Sequence, residues 1–149
     1  MAIRQIRVLG DDVLRKKCKE VKEMTPRMHT LVEDMYDTMY EAMGVGLAAP
    51  QVGILKRIVV IDTGEEGECV TLVNPVITLK EGEQVGEEGC LSLPGKVAVV
   101  KRPDHVICEA FDEDMNILLS SYSTSSIVTS LAGSSATSGY KIPSKWSVS

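Results

Sequence analysis

The sequence predicts an α+β domain built on a mostly antiparallel sheet. Two observations point there: one strongly amphipathic helix near the N-terminus, and after it a series of β-rich segments divided by turn residues. The bulk numbers agree, since an apolar fraction of 44% and a charged fraction of 25% are those of an ordinary globular protein. A chain of 149 residues suffices for one domain with a substantial core and is short for two.

The elements follow in order. "IRQIRVLG" (Ile3 to Gly10) reads as a short strand or extended arm that ends in a turn. The helix is "TPRMHTLVEDMYDTMYEAMG", with Thr25 as N-cap and Pro26 at the first helical position, where its missing N–H costs nothing. Met28, Leu31, Val32, Met35, Met39, Ala42 and Met43 recur at spacings of three and four and make one apolar stripe. Gly44 is expected to end the helix in a left-handed conformation. Beyond it, "KRIVVID", "CVTLVNP", "VITLKEGEQV", "KVAVVKRP" and "HVICEAFDED" read as strands.

Composition changes abruptly near Asn116. All 21 acidic residues and 14 of the 16 basic ones precede residue 115, while twelve of the thirty residues from Ser120 to Ser149 are Ser. Ser, Thr and Gly at that density compete with helix formation. The expected organisation is therefore a folded unit over residues 1–117 and an atypical, Ser-rich segment over 118–149, disordered or arising from a shifted reading frame.

Charge and composition exclude several roles. A net charge of −5 is the wrong sign for a nucleic-acid surface, and the basic run "RKKCK" is followed at once by Glu20 and Glu23. No apolar run reaches the roughly 18 residues of a membrane span, and the N-terminus lacks the apolar stretch of a signal peptide, so a cytoplasmic location is expected. The four cysteines form no CxxC pair. In a reducing compartment a special one among them is metal-binding or catalytic.

Two stretches can carry chemistry. "GVGLAAPQVG" (Gly44 to Gly53) is a small-residue loop that lets backbone approach a ligand and places Gln51, a side-chain amide able to stabilise an oxyanion. The loop has neither dinucleotide spacing nor a P-loop Lys, and residue type alone favours a tight turn whose Gln merely satisfies backbone groups. "EEGCLSLPG" (Glu87 to Gly95) offers the Cys90 thiol, which as thiolate is a nucleophile or metal ligand and as thiol a small hydrophobe.

Taken together, in this order and roughly forty residues apart, "GVGLAAPQ" and "EGCLS" closely resemble the first two signature motifs of peptide deformylases. The Met-rich helix before the loop and "RPDHVICEAFDEDMN" after the second motif are similar to the family as well, so the resemblance spans residues 3–117. It implies metal-dependent hydrolysis of the N-formyl group from the formyl-methionine of nascent polypeptides, near the ribosome. The family's Fe²⁺, replaceable by Ni²⁺, Co²⁺ or Zn²⁺, is held by one Cys and two His. That Cys corresponds to Cys90. By the same correspondence Gln51 and the Leu91 N–H bind the oxyanion, Gly46 and Gly89 lie along the substrate backbone, Val45 lines the methionine pocket, and Glu88 stands close to it.

The family's third motif, His-Glu-x-x-His, puts two ligands and a general base on one helical face. It does not occur in this sequence, whose only histidines, His29 and His105, lie 76 positions apart. The core helix that carries the motif in the family is expected to be replaced by the Ser-rich segment. Two other readings follow: a non-catalytic relative that keeps the peptide-binding loop, and a thiol hydrolase with Cys90 as nucleophile, for which neither His is placed as base.

Overall fold

The computed structural model describes residues 2–122; Met1 and residues 123–149, with nearly all of the Ser-rich segment, lie outside the described residues. Helix α1 runs Pro26–Glu41, and the Thr25 side chain accepts from the Met28 N–H as its N-cap. Its C-terminus differs from expectation. Met43, not Gly44, adopts the left-handed conformation, with φ 56°. The Gly44 N–H bonds the Met39 carbonyl at 2.9 Å and the Met43 N–H that of Tyr40 at 3.0 Å, which is the paired closure of a Schellman motif. A glycine at 44 serves another purpose: a Cβ there would stand 2.6 Å from Leu91 Cδ1 and displace that side chain.

The strands are β1 (Gly46–Ala48), β2 (Ile58–Asp62), β3 (Cys69–Glu81), β4 (Gln84–Cys90), β5 (Leu93–Arg102), β6 (His105–Phe111) and β7 (Ile117–Tyr122). A five-stranded antiparallel sheet has the order β1-β2-β3-β6-β7, and β4 pairs with β5 in a separate two-stranded sheet. Two strands expected on either side of Asn74-Pro75 are one. Asn74 holds φ 53° and the pairing with β6 shifts between Val73 and Val76, so a bulge accommodates a proline that has no N–H to give the ladder. The Asn74 amide also accepts from the Val21 N–H and donates to its carbonyl, both at 2.8 Å, tying the segment before α1 to the sheet. Strand pairing continues past residue 117 to Tyr122, with Ile107 opposite Ser121 and Val106 opposite Tyr122.

Alternation along β2 builds two cores. Ile58 and Val60 face α1 and pack with Leu31, Val32, Met35 and Met39, whereas Val59 and Ile61 join Leu72, Val106 and Cys108 on the opposite face. The stripe of α1 is core over Leu31, Val32, Met35 and Met39, with Met35 and Met39 completely buried, but not at its end: Met43, past the last helical turn, is 92% exposed. The N-terminal residues form an arm without strand structure. Its Arg7 N–H donates to the Gln51 carbonyl at 2.7 Å and its Leu9 N–H to the Ser92 carbonyl at 2.8 Å.

Candidate active site

The small-residue loop leaves α1 as β1 and then winds into a short 3-10 turn over Ala49–Val52, closed by Gly53 at φ 84°. That turn points the Gln51 side chain back across the loop. Its Oε1 accepts from the Ala48 N–H at 3.0 Å, so the amide does satisfy the turn. A backbone N–H can only donate, and this fixes which end of the amide is oxygen. The Nε2 end is thereby turned toward the second motif, 3.1 Å from Ser92 Oγ and 3.7 Å from Cys90 Sγ.

The second motif sits at the end of β4. Glu88 is buried, and its carboxylate receives the Arg102 guanidinium, Nη2 to Oε2 at 3.0 Å and Nε to Oε1 at 3.2 Å. Gly89 and Cys90 are exposed, and a Cβ on Gly89 would meet only the Lys96 carbonyl, at 3.9 Å. Cys90 keeps an open face, while the protein packed behind it desolvates the sulfur and pushes its pKa up. N–H groups of Ser92 and Leu93 pull the other way by donating to the sulfur, and the nearby Glu88 charge raises the pKa further. Leu91 is half-buried, at the position where a Gly44 side chain would collide with it, and Val45 is 43% exposed at the loop's entrance. Gly46 pairs with Ile61 at the start of β1.

Seven residues singled out from sequence therefore fall on two segments, 45–51 and 88–91, whose side chains meet through Gln51 and Cys90. The histidines do not join them. His29 on α1 faces Glu113 at 3.4 Å, and His105 faces Glu81 at 3.5 Å and bonds Ser121 Oγ through Nε2. Among the described residues no group of three or more His, Cys, Asp or Glu could hold a metal ion. Catalytic metal sites of this kind use three protein ligands, so Cys90 alone does not make one. Three contributors carried too little signal to be found from sequence: Ser92, the N-terminal arm, and Arg102, whose partner lies fourteen positions away on the neighbouring strand.

The α+β scaffold thus brings an amide donor beside a half-open thiol, and the relatives of the chain are hydrolases. The family described as polypeptide deformylase matches residues 3–124. A peptide deformylase of Agathobacter rectalis is 60% identical over 116 residues, covering 78% of this chain and 72% of the relative. That of Lachnoclostridium phytofermentans is 57% identical over 116 residues, 77% and 71% of the two chains. The crystal structure of a peptide deformylase from Legionella pneumophila superposes with a TM-score of 0.82 at 41% identity, covering 87% of this chain and 78% of that one. The chain belongs to the peptide deformylase family, whose members are metalloenzymes that remove the formyl group from the N-terminus of nascent peptides. Among the described residues no helix is long and apolar enough to cross a membrane.

Proposed function

We propose that the deformylase reaction is centred between Gln51 and Cys90, on formyl-methionyl nascent peptides in the cytoplasm close to the ribosome, with Fe²⁺ or a similar divalent ion held in part by Cys90. The observation that carries the reading is the 3.7 Å approach of Gln51 Nε2 to Cys90 Sγ, which joins two motifs 39 residues apart. A thiolate suits a first-row divalent metal. Among the described residues it is one donor where three are needed.

Gln51 Nε2 has two hydrogens. One is directed to Ser92 Oγ, and the other to Cys90 Sγ, on the thiol's open side. A formyl oxygen placed there would receive it, and the Leu91 N–H one residue beyond the thiol would be the second donor. The Gln51 donor is held at both ends before substrate arrives, so charge that develops there in the transition state is met without reorganisation. Gly46 on β1 and Gly89 on β4 would flank the substrate backbone, where the open face at Gly89 leaves room for it. Val45 would wall the methionine side chain, and Glu88, tied to Arg102, would stand beside that pocket and stiffen the strand.

The test is formate release from a formyl-Met peptide by protein loaded anaerobically with Fe²⁺ or Ni²⁺. Cys90→Ser should abolish turnover, and Gln51→Ala should lower kcat by roughly a hundredfold or more. Undiminished turnover in either variant would remove that residue from the site.

A further inference from the structure

We propose that Ser92 is a positioning residue for this reaction: its hydroxyl fixes the direction in which the Gln51 amide presents its second hydrogen. The proposal rests on the reading of Gln51 as oxyanion donor. A glutamine side chain has three rotatable bonds, so an amide anchored at one end still swings about that anchor. Here both ends are held. Ala48 N–H bonds Oε1 at 3.0 Å, and Ser92 Oγ accepts from Nε2 at 3.1 Å. With the oxygen and one hydrogen committed in the amide plane, the direction of the second hydrogen is determined, and it runs toward Cys90.

Ser92 is suited to that task by its own support. It is 5% exposed, so its hydroxyl does not exchange partners with bulk water. Its backbone is held from outside the motif, because its carbonyl accepts from the Leu9 N–H of the arm at 2.8 Å. The same arm holds the Gln51 carbonyl through Arg7 N–H at 2.7 Å. The two groups whose separation sets the amide direction are thus pinned to one continuous segment. The Ser92 hydroxyl bonds the Gln51 amide, and it acts through Gln51.

Two readouts separate this from a merely structural role. Ser92→Ala should lower kcat roughly tenfold or more with KM little changed, because a donor displaced by a fraction of an ångström is lost to the transition state rather than to binding. Ser92→Thr, which keeps the hydroxyl, should restore most of the rate. Ser92→Ala combined with Gln51→Ala should be no slower than Gln51→Ala alone. The second readout needs no turnover. In ¹⁵N-labelled protein the Gln51 side-chain amide resonances, assigned by their disappearance in Gln51→Ala, should move toward the position of a free glutamine in Ser92→Ala and stay in Ser92→Thr. Should Ser92→Ala not fold, Ser92→Cys, of similar size and a weaker acceptor, reads the same shift. Unmoved Gln51 resonances in a folded Ser92→Ala protein, or additive losses in the double variant, overturn the proposal. A kinetic effect of Gln51→Ala without one of Ser92→Ala overturns it while leaving Gln51 in place. Loss of the Gln51→Ala effect itself strikes the oxyanion reading, and the resonance shift then still decides whether Ser92 orients the amide.

Discussion

Met43 holds φ 56° at the end of α1 with 92% of its surface exposed, and a methyl group on the next residue, Gly44, would press on the Leu91 side chain. The neighbours therefore respond to substitution for different reasons. A non-glycine residue in the left-handed region carries a steric cost of roughly 1–2 kcal/mol, and the side chain of Met43 contributes little burial to offset it. Met43→Gly should raise stability by about 0.5–1 kcal/mol, read as a thermal midpoint a few degrees higher. Gly44→Ala has the opposite sign. Its Cβ meets the end of a leucine that can rotate, so the stability loss should be only about 1 kcal/mol. Displacing Leu91 disturbs the residue after Cys90, so formate release should fall more than the midpoint does. From sequence the helix end is legible to within a residue, because methionine gives no sign of a left-handed φ. Gln51 and Cys90 are legible because each lies in a motif with a chemical function. Ser92 is not, since a serine before Leu-Pro reads as a turn signal until Gln51 is seen beside it.

Strand β4 carries both the Cys90 thiol and the buried Glu88 carboxylate, and β5 carries the Arg102 guanidinium that pairs with Glu88. Glu88 stands opposite Ala98, and Arg102 opposite Gln84, so the guanidinium reaches diagonally across the pair to Glu88. Both side chains are at least nine-tenths buried. Desolvation offsets most of the attraction in such a pair, but removing one partner leaves the other charge buried, at a cost of about 3–5 kcal/mol. Glu88→Ala should destabilise by that order in a chemical denaturation series. Glu88→Leu combined with Arg102→Met should cost distinctly less than Glu88→Ala, because no buried charge remains. A double variant as unstable as the single one would mean that the pair matters for shape and not for charge. The sequence places these strands by alternation and turn residues, yet it does not pair Glu88 with Arg102, which depends on register. It divides β3 at Asn74-Pro75 for a related reason: proline ordinarily ends a strand, and only the bulge makes it tolerable inside one.

Among the described residues the five-stranded sheet has a core on each face, and the core away from α1 contains an ionisable group. Cys108 on β6 is 1% exposed among Val59, Ile61, Leu72 and Val106. Burial pushes its thiol from the ordinary 9.0 up to about 11, helped by the Glu109 charge and opposed by an N–H bond from Val76. The sign of the consequence follows from proton counting. Below pH 9 the thiol is protonated in both folded and unfolded chains and stability is unaffected. Between 9 and about 11 the unfolded chain has lost the proton and the folded chain still holds it, so stability falls as pH rises. The slope due to this one group is about 1.4 kcal/mol per pH unit at most. Cys90, also raised but open on one side, adds a smaller decline in the same direction. Cys108→Ala should be less stable than the parent at neutral pH through its lost volume. Its stability should nevertheless decline less steeply over this interval, which denaturation curves at pH 8, 9 and 10 would measure. Equal slopes in the two proteins would mean that the thiol ionises as easily in the folded core as in the unfolded chain. The opposite face of the sheet would then be open to water in a way that the burial of Val59 and Ile61 contradicts.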